Sequence, residues 1–169
     1  MIYLYEPKLP KKYERLIALI TALLGVALFA VSQIPALPIP ALYQFLGLVS
    51  LTASIVLVSR YLMRRYVYSI EMRTDGGEDA PPDFVVVEHY GRRVSTVCRV
   101  SVAEIEEILP LTRENRRQAA TLQRGRFFYD YTADLFSANR YLVSVQSGDH
   151  LFVARILADE ALLRYLQMQ

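Results

Sequence analysis

The residues best suited to binding chemistry in this 169-residue chain are a set of closely spaced arginines. The set comprises Arg113, Arg116, Arg117, Arg124 and Arg126. A guanidinium presents a planar fork of N–H donors that matches phosphate and carboxylate oxygens. One acid, Glu114, lies within the set, and Arg113, Arg116 and Arg117 share a face if the segment is helical. The spacing predicts either a contact to lipid headgroups or to an acidic partner, or a solvated helix face.

The other candidates for chemistry point away from catalysis. His89 and His150 each fall near a strand end or turn, and no second histidine or cysteine stands at metal-ligand spacing. Four acids around Gly76 and Gly77 do not match EF-hand spacing, which predicts a solvated turn, with a hard-cation site as the alternative. These acids are Asp75, Glu78, Asp79 and Asp83. We predict no catalytic residue, no metal site and no cofactor, and hence a protein that is not an enzyme.

Cys98 is the one cysteine of the chain, so an internal disulfide is excluded. A cysteine nucleophile needs a histidine or another cation beside it to lower its pKa. The period of two in its predicted strand places Cys98 on the same face as Val94, Thr96 and Val100. This pattern predicts a buried structural thiol.

A long apolar stretch dominates the first third of the chain. Residues 16–59 contain no Asp, Glu, Lys or Arg, and three prolines lie near the middle of the stretch. These are Pro35, Pro38 and Pro40. A helix needs about 20 apolar residues to cross a hydrocarbon core about 30 Å thick. The stretch therefore predicts a transmembrane helical hairpin over 16–62, with spans over 16–34 and 41–62.

Basic residues flank this hairpin on both sides, and the turn between the spans carries no charge. They are Lys8, Lys11, Lys12 and Arg15 before the hairpin and Arg60, Arg64 and Arg65 at or just after its end. By the positive-inside rule, residues 1–15 form a cytoplasmic basic N-terminus, and both termini are cytoplasmic. The same juxtamembrane charges also suit contact with anionic lipid. We therefore predict an integral membrane protein.

The remaining residues, 66–169, predict one cytoplasmic domain that is rich in β-strands. Alternating or β-rich runs between turn residues mark six strands. These are residues 66–72, 84–90, 93–100, 127–132, 141–146 and 151–157. A capping box of Ser101 and Glu104 predicts a short helix through Leu109. Asp159 is predicted to cap a terminal helix whose Leu162 and Leu166 face the sheet.

The two predicted spans are followed directly by a strand, Arg-Arg-Tyr-Val-Tyr-Ser-Ile at residues 64–70. In this order of elements the chain resembles the membrane-anchored bacterial proteins that carry a PH-like domain. The ending, a hairpin over 141–157 that runs into a helix over 159–168, is similar to that family too. The resemblance implies an α+β membrane protein of the bacterial cell membrane. It also implies a PH-like bent antiparallel sheet closed by the C-terminal helix. Residues 110–125 depart from the family's compact pattern and predict an insertion, folded as a polar helix or a mobile loop.

The sequence predicts function only as a class. The expected role is a non-catalytic scaffold or adaptor that binds a protein partner or anionic lipid through its cytoplasmic domain. The alternative is an accessory subunit of a transport or channel complex that acts through the hairpin. The net charge of +2 argues against nucleic acid as a partner. Thr21 and Gly25, like Ser50 and Ser54, are four apart, a spacing that fits packing within the hairpin or the seam of a homo-oligomer.

Overall fold

The computed structural model describes residues 2–7, 11–34, 39–73 and 80–167. They form an α+β fold with two long apolar helices and antiparallel sheets. The chain divides into two compact units. The β-rich unit comprises Met1–Lys8, Arg65–Thr132 and Phe136–Gln169, and the helical unit comprises Leu9–Arg64 and Ala133–Leu135. The β-rich unit thus includes N-terminal residues that the sequence assigned to a separate basic segment.

The helical unit is built from two helices, α1 (Lys12–Val31) and α2 (Pro40–Leu57), and a π-helical turn (Val58–Leu62) continues α2. Both helices are long and apolar enough to cross a membrane. Helix α1 begins at Lys12 rather than at residue 16, and Glu14 in its first turn interacts favourably with the helix dipole. Pro40 opens α2 at a position where its missing N–H costs nothing. The predicted turn residues Pro35 and Pro38 lie outside the described ranges.

The two helices approach each other closely at a pair of facing glycines, Gly25 and Gly47. A Cβ atom on Gly47 would lie 2.7 Å from the Phe29 ring and 3.1 Å from the Gly25 carbonyl oxygen. The Ser50 hydroxyl donates a hydrogen bond to the Thr21 carbonyl oxygen at 2.7 Å. The small residues noted in the sequence therefore pack against each other within the hairpin.

Two four-stranded sheets form the described part of the β-rich unit. The first has the order β1-β2-β3-β4, with β1 at Tyr3–Tyr5, β2 at Arg64–Glu71, β3 at Asp83–Tyr90 and β4 at Arg93–Ser101. The second has the order β5-β7-β8-β6, with β5 at Ile105–Pro110, β6 at Phe127–Asp130, β7 at Arg140–Ser147 and β8 at His150–Leu157. Strands β7 and β8 form an antiparallel hairpin, whereas β6 pairs with β8 in parallel. The six predicted strands are confirmed with small shifts at their ends, but they form two sheets rather than one.

Two further helices belong to this unit, α3 (Arg116–Gln123) and α4 (Glu160–Gln167). The Asp159 carboxylate accepts a hydrogen bond from the Leu162 N–H at 2.8 Å, so it caps α4 as predicted. Leu162 and Leu166 are fully buried. The Tyr3 hydroxyl donates to Asp159 at 2.6 Å, and this hydrogen bond raises the pKa of Tyr3 to about 12. Strand β1 and helix α4 are thereby joined through one carboxylate.

The core between the sheets is organised around Tyr68 of β2, which is fully buried. Its hydroxyl donates to the Tyr131 carbonyl oxygen at 2.7 Å and accepts from the Leu157 N–H at 3.2 Å. Because Leu157 ends β8, this hydroxyl connects the first sheet to the second. Ile70 and Phe84 of the first sheet are buried as well.

The prediction of a helix over residues 101–109 is wrong. The capping box forms, since the Ser101 N–H donates to Glu104 at 3.1 Å, but it opens only a single 3-10 turn at Val102–Glu104. Strand β5 follows at once and pairs with β7. Ile105 and Leu109 are both buried, and a spacing of four fits one face of a strand as well as one face of a helix. Pairing with β7 therefore prevails over the local capping signal.

Candidate interaction surface

Helix α3 is positioned by a small apolar contact with the second sheet. Its Ala119 is buried in a cluster with Leu109, Leu142 and Val153, and Leu122 packs at the edge of this cluster. The contact fixes one face of the helix on the sheet, and the rest of the helix surface faces solvent. Of the two predictions for this segment, a polar helix and a mobile loop, the structure shows the helix.

Four of the five predicted arginines are exposed. Arg113 precedes α3, Arg116 and Arg117 form its first turn, and Arg124 follows its end. No carboxylate of the described residues lies within 4.0 Å of these four guanidinium groups. Because the helix begins at Arg116, Arg113 does not share a helical face with the other two, as the sequence had suggested. We call these four residues the arginine segment.

Arg126 has a different environment from the arginine segment. It is half-buried and forms an ion pair with Glu106 at 3.4 Å. It also donates to the Ser144 hydroxyl, and that hydroxyl donates to Glu106 at 3.1 Å. The Arg126 guanidinium therefore ties β5 to β7 and is committed to the fold.

Strand β6 follows the arginine segment and carries three consecutive aromatic residues at the edge of the second sheet. Phe127 is 70 % exposed, and Phe128 and Tyr129 are also exposed. The Tyr129 ring meets the Phe152 ring edge-on at 5.6 Å, and the Arg155 guanidinium lies 5.6 Å from the Phe128 ring centre. Within the described ranges, the Phe127 ring makes no such contact. We call Phe127, Phe128 and Tyr129 the aromatic strand.

The exposure of the aromatic strand was missed by the sequence analysis. The sequence predicted a strand here but not that its three adjacent rings would be exposed. In a strand, neighbouring side chains point to opposite faces, so consecutive aromatic residues cannot all lie on one buried face. A run of Phe127, Phe128 and Tyr129 directly after basic residues was therefore an available signal for an exposed surface.

An ion pair between Arg155 and Asp130 anchors the end of β6 to β8. The Arg155 Nε donates to Asp130 at 3.0 Å, and a second guanidinium nitrogen contacts the same carboxylate. Burial raises the pKa of Asp130, but hydrogen bonds from Arg155 and Thr132 outweigh it and hold that pKa below its ordinary value. Asp130 therefore stays ionised and neutralises Arg155.

The environment of Cys98 differs from the prediction. A β-bulge shifts the register between β3 and β4, so that Cys98 lies opposite Val86 whereas Thr96 lies opposite Val87. The extra residue breaks the predicted parity, which leaves Thr96 exposed and Cys98 half-buried. Burial raises the pKa of Cys98 to about 11, although the neighbouring Tyr131 hydroxyl, which donates to the Val97 carbonyl oxygen at 3.3 Å, opposes this. The thiol is therefore protonated at neutral pH and is a poor nucleophile.

The two histidines lie on different strands. His89 is half-buried in β3, and His150 is exposed at the start of β8. Among the described residues no group of three His, Cys, Asp or Glu side chains is placed to hold a metal ion. Asp83 begins β3 and is buried, whereas the other predicted acids of this turn lie outside the described ranges. Those are Asp75, Glu78 and Asp79.

The juxtamembrane basic residues divide into a structural member and several exposed ones. Lys11 donates to the carbonyl oxygens of Tyr61 and Arg64, at 2.6 and 2.9 Å, and so satisfies carbonyl groups where the second helix ends. Arg64 is half-buried, and Lys8 lies outside the described ranges. The exposed members are Lys12, Arg15, Arg60 and Arg65.

Glu14 is a buried acid that the sequence analysis did not consider. It lies in the first turn of α1 and is 3 % exposed. Its Oε1 atom accepts a hydrogen bond from the Leu135 N–H at 3.3 Å, which holds residues 133–135 within the helical unit. Its Oε2 atom has no hydrogen-bond partner in the part of the chain that the structure describes. In the sequence, an acid among basic residues directly before the apolar stretch was the signal that could have indicated a structural role for Glu14.

Comparisons with known proteins give no relative from which a function could be transferred. No protein family, no curated protein and no solved structure matches this chain. The resemblance to membrane-anchored PH-like proteins therefore stays a prediction. Function has to be argued from the arginine segment, the aromatic strand and the two apolar helices.

Proposed function

We propose that this protein is a non-catalytic, membrane-anchored scaffold or adaptor of the bacterial cell membrane. In this proposal the two apolar helices span the bilayer and both termini are cytoplasmic. The β-rich unit acts as a PH-like domain, and its arginine segment binds an anionic group. That group belongs to a lipid headgroup or to an acidic partner protein, since guanidinium groups bind phosphate and carboxylate alike.

The observation that carries the proposal is the exposed and unpaired state of the arginine segment. Arg116 and Arg117 occupy the first turn of α3, next to the positive end of the helix dipole. Cations at that end are disfavoured, by an amount comparable to the roughly 0.3–1 kcal/mol that anions gain there. No carboxylate of the described residues lies within 4.0 Å to offset this repulsion. Folding gives no reason for these charges, so a binding role explains them better.

Membrane anchoring is supported by the surface of the helical unit. Large apolar side chains such as Leu23, Phe45 and Ile55 are exposed along both helices. In water such surfaces are unfavourable, whereas in a bilayer they match the hydrocarbon. The exposed basic residues at the ends of the hairpin, with an uncharged turn between the helices, support the cytoplasmic placement of both termini.

The absence of catalysis is proposed from the chemistry of the groups that the structure places. The raised pKa of Cys98 disfavours the thiolate that nucleophilic catalysis would need. The half-buried His89 pairs across the sheet with Val94 rather than with an acid or a thiol. These environments suit structural side chains.

A triple variant of the full chain tests the adaptor role. Arg113, Arg116 and Arg117 are all replaced by Gln, which keeps the segment polar while it removes three charges. Wild type, purified in mild detergent from its membrane, is expected to retain anionic lipids or a partner protein, both identified by mass spectrometry. The triple variant is expected to lose them.

A matched control removes three other exposed arginines of the β-rich unit. These are Arg73, Arg92 and Arg93. The control is expected to retain the same lipids or partner as wild type, because its arginine segment is intact. If the triple variant retains them as well, the arginine segment is a solvated surface and the adaptor proposal fails.

The alternative role, an accessory subunit of a transport or channel complex, is favoured by the exposed outer faces of α1 and α2. A variant without the helices distinguishes this role from the adaptor role. In this variant a flexible linker replaces residues 8–64 and joins residue 7 to Arg65. The linker is needed because β1 pairs with β2 and belongs to the β-rich unit. An adaptor lacking its helices should still capture its partner, whereas an accessory subunit should lose it.

A further inference from the structure

We propose that the aromatic strand inserts into the anionic leaflet of the membrane that holds the two apolar helices, with Phe127 as the most deeply inserted side chain. This inference rests on the proposed membrane anchoring and names the leaflet as the anionic surface that the arginine segment meets. Insertion in this sense means that the rings enter the interfacial region while the arginines contact headgroups.

The first observation is the state of the three rings. Phe127 is 70 % exposed, and the strand that carries it lies at the edge of the sheet order β5-β7-β8-β6. The rings of Phe128 and Tyr129 are exposed on that edge as well, although Phe128 contacts Arg155 and Tyr129 contacts both Phe152 and Tyr131. The three exposed aromatic side chains give this edge apolar surface on both faces of the strand, and among the described residues the Phe127 ring makes no aromatic or cation–π contact.

The second observation is the charge beside the patch. The arginine segment precedes it directly, and Glu114 is the one acid between residues 111 and 129. Aromatic side chains next to Lys or Arg are typical of segments that lie in the interface between lipid and water. The rings supply the apolar contact, and the guanidinium groups complement the negative headgroups.

The third observation is the length of the tether. The π-helical turn that ends the second apolar helix stops at Leu62, and β2 begins at Arg64, so Met63 alone separates them. A unit tethered by one residue cannot leave the bilayer surface when the helices span the membrane. The leaflet is then present at high local concentration, which favours a weak surface contact.

An extended peptide added to the edge of β6 is the competing occupant. Peptide addition to a sheet edge depends on main-chain hydrogen bonds along a strand. Strand β6 has four residues and therefore offers few such groups. The exposed rings on both faces of so short a strand suit an interfacial environment better than one peptide.

The chain contains no tryptophan, so one introduced tryptophan is the sole source of tryptophan fluorescence. The full chain with Phe127→Trp is reconstituted into vesicles of phosphatidylcholine with phosphatidylglycerol, in which part of the lipid carries bromine near the interface. We expect a blue-shifted emission that the brominated lipid quenches. Because Phe127 is exposed, the substitution is expected to leave thermal unfolding unchanged.

Val94→Trp is the matched control. Val94 is 62 % exposed in β4 of the other sheet and also follows an arginine. Its tryptophan is expected to emit like one in water and to resist quenching by brominated lipid. Equal quenching at both positions, or quenching at Val94 alone, would overturn the assignment of the aromatic strand.

The charge dependence is tested by a second vesicle composition and a second variant. Quenching of Phe127→Trp is expected to fall in vesicles of pure phosphatidylcholine, and also when Arg116→Gln and Arg117→Gln are added. Equal quenching in neutral and anionic vesicles would overturn the electrostatic part of the proposal. An unquenched Phe127→Trp that a co-purified partner protein shields from acrylamide would replace the leaflet by a protein occupant.

Failure of insertion and failure of the adaptor role give different results. If Phe127→Trp is not quenched while the arginine triple variant still loses its anionic ligands, insertion is wrong and the adaptor role stands. If Phe127→Trp is quenched in anionic vesicles while that variant keeps every ligand, the rings insert, but the arginine contact to headgroups and the adaptor role both fail.

Discussion

The helical unit and the β-rich unit place their apolar residues in opposite ways. In the β-rich unit Tyr68 and Leu142 are fully buried, whereas in the helical unit Ile55 is 69 % exposed. The buried positions of the helical unit are instead small or polar, such as Gly47 and Ser54. Each unit thus has the surface that suits a different solvent, water for one and lipid for the other. The contrast explains why the helices pack through glycines while the sheets pack through large side chains.

Loss of a large buried side chain should produce the greatest change. Leu162→Ala empties a fully buried site on α4, which is expected to lower the free energy of unfolding of the β-rich unit by about 2–5 kcal/mol. Leu163→Ala removes a half-buried neighbour on the same helix and should cost clearly less. Chemical unfolding of the full chain in detergent, followed by tyrosine circular dichroism, measures both. Equal effects at the two positions would contradict the closing role of α4.

Addition of one methyl group should be enough to disturb the helical unit. In Gly47→Ala the new Cβ atom would lie 2.7 Å from the Phe29 ring, so the helices must separate or Phe29 must move. We expect a loss of about 1–3 kcal/mol for this overpacking. Leu48→Ala, at a neighbouring position, should change stability little, because the Leu48 side chain is 55 % exposed. Thermal unfolding in detergent compares them, and an unaffected Gly47→Ala would refute the close approach.

The ion pair in the second sheet should show a smaller effect that depends on pH. The pKa of Asp130 in the folded chain lies below its ordinary value of about 3.9, so its contribution to stability is present above that pH. The contribution is lost as the pH falls through the lowered pKa. Asp130→Asn is expected to lower stability by about 1–3 kcal/mol at pH 7 and to remove this acid-dependent loss.

The control for Asp130→Asn is Glu71→Gln, whose partner Arg99 is exposed. An exposed ion pair is worth roughly 0–1 kcal/mol, so this variant should unfold nearly like wild type. Unfolding curves at several pH values from 7 down to about 2 separate the two variants, because the loss occurs below the ordinary pKa of an aspartate. If Asp130→Asn keeps the same dependence on pH as wild type, another group causes the acid-dependent loss.

Much of the architecture could be predicted from the sequence, because it follows from strong local signals. The uncharged stretch over residues 16–59 predicted two apolar helices, and Asp159 with Leu162 and Leu166 predicted the closing helix. Contacts between distant residues could not be predicted. Strand β1 gains its place from pairing with β2 and from the Tyr3–Asp159 hydrogen bond, neither of which leaves a local pattern. Residues 105–109 became a strand because β7 was available as a partner.

The candidate site was predicted in part. The five closely spaced arginines were found because charge density is visible in the sequence, but which of the five the fold uses could not be predicted. Arg126 is held by Glu106, twenty positions away in the chain, and such a partner is defined only by the second sheet. The exposure of Phe127 likewise depends on the edge position of β6, which is set by its parallel pairing with β8.

The central claim is that the helical unit spans a membrane and holds the β-rich unit on the cytoplasmic side. Its most direct test is cysteine labelling in intact cells, in a chain with Cys98→Ser. Ile39→Cys lies in the turn between the apolar helices, and Ala120→Cys lies on the exposed surface of α3. A reagent that cannot cross the membrane is expected to label Ile39→Cys from outside and to label Ala120→Cys only after lysis. Labelling of Ala120→Cys in intact cells, with Ile39→Cys protected, would contradict the account.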